Sequence, residues 1–218
     1  MSDQTCAGQA QACLIRVARL DDDGSVLEGA DNLYVTENMI SLEWSPDIDT
    51  GDELDQSNGC GEEVVFFQAP DRLRGLDLTL LLVAPEPELL EMLAGGTVHT
   101  NTGDTRGYGL IGPGTVGGPT DVSIELWERI IVAGSIVGHA RYVFPRTRNW
   151  TLQGSTHEND VLDVELEGRA VEAALWGDGP GGDWSDLSEE AVTIYDWAIE
   201  ENELPTAECG AQELSVPT

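Results

Sequence analysis

The chain contains no lysine. All ten of its basic residues are arginine, whereas aspartate and glutamate together number 41, so the formal net charge is −31 over 218 residues. Proteins bind DNA and RNA phosphates with Lys and Arg, which displace counterions, so this charge excludes a general nucleic-acid-binding role. An anionic membrane surface is excluded as a partner for the same reason. Because the negative charges also repel one another, other interactions must offset this repulsion in the folded or assembled state.

Other features that are scarce narrow the class of protein further. No apolar run approaches the roughly 18–20 residues that span a bilayer. The first residues, MSDQTC, have neither a basic nor an apolar signal-peptide region, so we expect synthesis in the cytoplasm. The cysteines form no C-x-x-C pair and lie far in sequence from the three histidines, which predicts free thiols and no zinc site. They are Cys6, Cys13, Cys60 and Cys209.

What the sequence does contain is a series of alternating apolar and polar segments. Val122–Trp127 and Leu162–Glu167 have the period of two that predicts strands, and Leu76–Val83 alternates over its first half and is then fully apolar, as a half-covered and then buried strand would be. One helix is predicted over 85–94, with prolines in its first turn and Gly95 and Gly96 as its end. Because strands follow one another without alternating helices, we predict a mainly β fold, an antiparallel sandwich or barrel with one flanking helix.

The same reading divides the chain into three parts. Residues 1–12 are small and polar and are expected to form an arm. Residues 13–176 form the β domain. Residues 177–218 form an acidic C-terminal extension, in which 188–203 is predicted as a short helix with Ser188 as its N-cap.

Two long segments interrupt the strands, 46–61 and 97–120, and both are predicted to be loops or, for the second, an irregular strand pair. Loops of this length are commonly functional. The first carries Asp47, Asp49, Asp52, Glu53 and Asp55, which resemble calcium ligands in type. The EF-hand spacing fails, because Gly51 and Asp52 occupy its fifth and sixth positions. A solvated acidic loop and a looser divalent-cation site both stay open.

Motifs for catalysis are not found. No G-x-S-x-G is present, and the three histidines have no triad spacing. The letters of G-x-G-x-x-G occur at 107–112, but they open no predicted helix, so dinucleotide binding is not expected. We therefore predict that the protein is not an enzyme and uses no cofactor.

The arginines are concentrated in one place. Arg141, Arg146 and Arg148 lie within eight residues of a chain that has only ten. Arg can clamp a carboxylate with two hydrogen bonds, so these residues could contact an acidic face of a neighbouring copy. The alternative is that they neutralise Asp and Glu within the same chain.

Several short segments occur in a recognisable order along about residues 13–184. The most specific are Asn58-Gly59-Cys60-Gly61 and Ala69-Pro70-Asp71, and the others include 87–96, Tyr142–Arg146 and 176–180. In these segments and their order, the chain resembles the major tail proteins of long, non-contractile-tailed actinobacterial phages.

The resemblance implies a structural virion protein that stacks as rings, usually hexamers, into a tail tube. It implies a β-sandwich with a flanking helix, whose strands join those of neighbours into an inner barrel. The implied partners are other copies of the chain and the tape measure, tail terminator and tail-tip proteins, with DNA only in transit. The expected location is the virion tail, after assembly in the host cytoplasm.

Within such a tube, an acidic bore would keep DNA from sticking. We expect some of six acids to face it: Glu43, Asp47, Asp49, Asp52, Glu62 and Glu63. Segments 46–61 and 97–120 are the expected connectors between rings. The alternatives are an acidic β domain of the halophile type and a calcium-dependent β-sandwich binding module.

Overall fold

The computed structural model describes residues 9–57, 60, 63–110, 121–153, 163–173, 175–177, 179–180, 191–196, 204–205 and 210–214. These residues form thirteen strands and one helix. The first six strands are β1 Gln9–Arg19, β2 Gly29–Thr36, β3 Met39–Asp49, β4 Glu53–Ser57, β5 Glu63–Gln68 and β6 Arg72–Leu82. They are followed by helix α1 Pro87–Ala94, β7 Thr97–Asn101, β8 Asp104–Gly109, β9 Val122–Val132, β10 Ser135–Leu152, β11 Val164–Ala170, β12 Ile194–Asp196 and β13 Gly210–Leu214.

One large sheet dominates the described chain, in the order β13-β2-β1-β9-β10-β11-β6-β3, with β12 also paired to β10. The pairings within it are antiparallel. Only two residues separate β2 from β3, although the two strands lie near opposite ends of this order. Because three peptide units span at most about 11 Å, the sheet must curve back on itself.

The curved sheet encloses the core. Alternate residues of β6, β9 and β11 point inward and are buried, as their period of two predicts. These core residues are Leu76, Leu78, Leu80, Leu82, Val122, Ile124, Leu126, Val164 and Leu166. The predicted mainly β, antiparallel fold is therefore confirmed, in the form of one curved sheet and two separate hairpins, β4–β5 and β7–β8.

The predicted helix is also confirmed, and it closes the core. α1 begins at Pro87, which fits the first turn because proline has no N–H to pair there. It ends at Gly95, whose φ of 70° suits glycine. Leu89, Leu90, Met92 and Leu93 form its buried face. Before it, Glu86 accepts hydrogen bonds from Thr36 (2.8 Å) and Asn38 (2.7 Å), which fix the helix to the β2–β3 turn.

Several expectations require correction. Residues 9–12, expected in the arm, belong to β1, because they pair with β9. The predicted loop 46–61 contains the end of β3 and all of β4, and segment 97–120 contains the β7–β8 hairpin, with 111–120 outside the described residues. Pro145 lies within β10, whose pairing with β9 shifts register between Phe144 and Thr147.

The C-terminal extension also differs from its prediction. Within the predicted helix 188–203, residues Ile194–Asp196 form β12 and pair with β10. Farther on, β13 pairs with β2 at the end of the large sheet. The free edges of β10 and β2 offer hydrogen-bond partners that outweigh local helix propensity, which is only a weak preference.

Candidate functional site: an acidic sheet face and uncovered apolar surfaces

Strand register places a group of acids on one face of the β11–β6–β3 part of the sheet. Residues directly opposite one another on neighbouring strands share a face. Glu43, Thr79 and Glu167 form one such row, and the next row contains Asp77. The intervening rows contain the buried Leu78 and Leu80, so the acid rows point away from the core. The acidic face, as we name it, consists of Glu43, Asp47, Asp77, Glu165 and Glu167.

One arginine is set into this face. The Arg169 guanidinium contacts the Asp47 carboxylate and lies 4.0 Å from Asp77. Arg148 is exposed and lies opposite Arg169 in the β10–β11 register, at the border of the acidic face. The five acids therefore outnumber the two arginines, and the face retains a negative charge.

The six acids predicted to face a bore are only partly brought together. Glu43 and Asp47 lie on the acidic face. Asp49 instead pairs with Arg74 at 2.6 Å at the end of the sheet, and Asp52 is exposed at the base of the β4–β5 hairpin. Glu62 lies outside the described residues, and only the backbone of Glu63 is described.

Three acids of this face were missed by the sequence-based selection. Asp77, Glu165 and Glu167 each alternate with buried residues, so the signal that they point outward was available. That they lie beside Glu43 depends on which strands pair, and periodicity carries no information on pairing.

The calcium-loop alternative loses its geometric basis. Its candidate ligands are divided between β3, β4 and the short link between them, and two of them are already paired with arginine. Among the described residues, no group of three or more His, Cys, Asp or Glu is arranged to hold a metal ion.

The edge of the sheet at β3 leaves apolar surface uncovered. β3 is the last strand of the sheet order, so one of its backbone edges has no partner strand in the described chain. Trp44 lies opposite the buried Leu78, on the core side of the sheet, yet half of its surface (50%) is exposed. Ile40 and Ile48 on the same strand are similarly exposed. Such an edge is a template for pairing with another chain.

A second uncovered surface is the β4–β5 hairpin. It forms its own two-stranded sheet, and its phenylalanines are exposed, Phe66 at 57% and Phe67 at 60%. Its base is tight, because a Cβ on Gly51 would lie 1.8 Å from the Ala69 carbonyl oxygen. The Gly51 N–H donates to the Asp71 carboxylate at 3.1 Å, and the Ala69 N–H donates to the backbone carbonyl of Asp52 at 3.0 Å. The hairpin is therefore held firmly at its base while its aromatic side chains stay uncovered.

Arg141, predicted to contact a neighbouring copy, lies inside the fold, and that prediction is wrong for it. Its side chain is 7% exposed and pairs with Glu125 at 3.7 Å and Asp196 at 3.5 Å. Glu125 is 1% exposed and also pairs with Arg16 at 2.5 Å. Both guanidinium groups lie near the Trp127 ring, at 5.1 and 5.6 Å from its centroid, which adds cation–π attraction. The alternative of intramolecular neutralisation therefore describes Arg141.

The other two members of the arginine group differ from each other. Arg146 pairs with Asp121 at 2.5 Å, and is also neutralised within the chain. Arg148 is exposed, and among the described residues no carboxylate forms an ion pair with it. For Arg148, contact with a second copy stays a prediction.

Burial shifts several protonation equilibria next to this ionic group. Burial raises the pKa of the Glu128 carboxyl. The pKa of the Tyr195 hydroxyl is raised first by burial and then by Tyr142, whose ring centroid lies 4.2 Å away. Burial, followed by the Glu128 carboxylate, likewise raises the pKa of the Tyr142 hydroxyl.

Comparison with protein-family models and with curated protein sequences found no match. In the described part of the chain, no helix has the length and apolar character needed to cross a membrane.

Proposed function

We propose that this chain is a tail-tube subunit of a long, non-contractile-tailed phage, which polymerises as stacked hexameric rings into an acidic conduit for DNA. The observation that carries the proposal is the combination found in the β11–β6–β3 layer. One side of this layer is acidic and solvated, while its β3 edge is unpaired and exposes Trp44. A neighbouring copy that extends the sheet at β3 would cover the apolar edge and leave the acids on a continuous wall.

The dimensions agree with this arrangement. The last four strands of the sheet order, β10, β11, β6 and β3, would supply four strands per copy. Six copies would give about 24 strands, and a spacing of about 4.8 Å sets a circumference of about 115 Å. The corresponding diameter of about 37 Å is wider than a DNA duplex. A closed barrel also removes the exposed edges that would otherwise aggregate.

The charge of the acidic face supports the role of a conduit. DNA carries one negative charge per roughly 1.7 Å of its axis, so a wall lined by carboxylates repels it. Repulsion keeps passing DNA from binding to the wall. The proposed partners are copies of this chain and the tape measure, tail terminator and tail-tip proteins, and the proposed location is the virion tail.

Negative-stain electron microscopy of the purified full-length chain across a salt series tests the proposal. We expect rings or hollow tubes with a central channel. Charge-reversing variants at Glu43 and Glu165 should form tubes that retain DNA fragments, whereas the parent tubes should not. Particles that stay monomeric at all salt concentrations and bind calcium tightly would contradict the proposal and favour a binding module.

A further inference from the structure

An apolar groove lies at the end of the sheet where α1 begins. It has a volume of about 440 Å³ and is bounded by the first turn of α1, by β8 and by the ends of β10 and β11. Pro87, Leu90, Tyr108 and Leu152 supply apolar walls, and among the described residues that line it Arg106 carries the charge. Arg106 is 61% exposed, and its contact with Asp104 is long, at 3.8 Å. The groove therefore offers an apolar slot with a positive charge that can accept a further carboxylate.

The β4–β5 hairpin has the complementary chemistry. Asp55 and Phe66 lie directly opposite one another in its register, so they share one face. Both are exposed. An isolated two-stranded hairpin is only marginally stable in water, so a surface that covers it would stabilise it. One face of the hairpin thus presents an aromatic ring beside a carboxylate, to match an apolar slot beside a guanidinium group.

The hairpin and the groove lie at opposite ends of the same strands. The hairpin leaves the sheet where Asp49 pairs with Arg72. The groove lies at the other end of β6, where Val164 pairs with Leu82. β6 has eleven residues, which separates the two sites by about 35 Å. The hairpin strands have five and six residues and extend about 20 Å at most, so the hairpin cannot reach the groove of its own chain.

We infer that the groove bounded by α1 and β8 binds the Phe66 face of the β4–β5 hairpin from a second copy of this chain, with Asp55 paired to Arg106. The inference rests on the proposed function, because it identifies the contact between successive rings. A contact between two different surfaces repeats without closing when the copies are related along one direction. Here that direction is the strand direction of the sheet, and Asp55 and Arg106 lie in the two segments, 46–61 and 97–120, that were expected to connect rings.

Cysteine cross-linking between two variants tests this contact directly. Asp55→Cys and Arg106→Cys are made separately in a full-length background in which Cys6, Cys13, Cys60 and Cys209 are serine. When the two proteins are mixed under mild oxidation, we expect a disulfide-linked dimer at least about tenfold more abundant than in either protein alone, because the two side chains meet only across the interface. Arg74→Cys is the matched control for Arg106→Cys, since Arg74 is an equally exposed arginine at the hairpin end of the sheet.

A charge exchange provides a second measurement on the same pair. Asp55→Arg or Arg106→Asp alone should lower the yield of tubes about tenfold, and the double variant should restore it, as expected for two charges in direct contact.

The outcomes separate this inference from the proposed function. Tubes that form without the Asp55–Arg106 cross-link would overturn the inference and leave the tail-tube proposal standing. A cross-link in the absence of rings or tubes would support the contact and count against the tail tube. Equal cross-linking to the Arg74→Cys control would show random collision and would overturn the inference.

Discussion

Glu125 is the residue on which the buried charges of the fold depend. Its carboxylate, 1% exposed, lies between Arg16 and Arg141. We predict that Glu125→Ala lowers the free energy of unfolding by about 3–5 kcal/mol, because two guanidinium groups then lose their shared partner in a buried site. Chemical denaturation of the purified variant measures this change.

The matched control for that substitution is Asp104→Ala. Asp104 also faces an arginine, but this pair is exposed to solvent, with the Asp104 side chain 78% exposed. Exposed pairs contribute about 0–1 kcal/mol, so this variant should unfold nearly as the parent does. Equal losses in the two variants would show that the Glu125 group is no more important than a surface pair.

The arginines also show what can be learned from the sequence at this scale. Their concentration at 141–148 is visible in the sequence, and so is the abundance of acids around them. Which acid pairs with which arginine depends on the β9–β10 register, where Glu125 and Trp127 come to lie beside residues 141–143. Register is set by tertiary packing and turn geometry, so the spacing of the arginines could not distinguish an internal pair from a contact between copies.

At the scale of elements, the orientation of the β4–β5 hairpin depends on Gly51. A Cβ at this position would overlap the Ala69 carbonyl, so the base of the hairpin must open to accept a side chain. We predict that Gly51→Ala lowers tube yield about tenfold or more, because the Phe66 face no longer meets its partner. The free energy of unfolding of the main domain should change by no more than about 0.5 kcal/mol, because the core cluster takes none of its residues from the hairpin.

Thr50→Ala is the control for the hairpin, because Thr50 is the exposed neighbour of Gly51. Hydrogen exchange of segment 53–68, together with tube yield from electron micrographs, separates a displaced hairpin from an unfolded protein. Normal tubes from Gly51→Ala would show that the orientation of the hairpin has no role in assembly.

The elements that were predicted correctly are those whose local pattern and tertiary environment agree. α1 has a proline start, a glycine end and one apolar face, and β6 alternates from Leu76 to Leu80 and is fully apolar from there to its end. The β4 strand and β12 were missed because acidic sequences favour loops or helices locally, and each becomes a strand only through its partner. Only part of the acidic face was predicted, for the same reason. The alternation that points a side chain outward can be read from one strand, but which strands lie side by side cannot.

At the scale of the whole molecule, the net charge of −31 opposes every association between copies. Each contact must overcome repulsion between two strongly negative bodies, and salt weakens this repulsion by shortening the Debye length to about 10 Å at 0.1 M and about 3 Å at 1 M. Assembly should therefore depend steeply on ionic strength. The dependence should be governed most by those acids that a tube brings closest together.

The positions of the acids turn this argument into a comparison between two double variants with the same net charge. Glu43→Gln with Glu165→Gln removes two charges from the acidic face, and Asp22→Asn with Glu28→Gln removes two from exposed sites around the β1–β2 connection. If the acidic face lines a bore, the copies around a ring bring those charges close together. The first variant should then assemble at about half the salt concentration that the parent needs, whereas the second should assemble at nearly the same concentration as the parent. Light scattering across a salt titration measures the midpoint for each protein. Equal midpoints for the two variants would mean that the acidic face is not enclosed by neighbouring copies, and a lower midpoint for the second would place the acids of the β1–β2 connection at the contact instead.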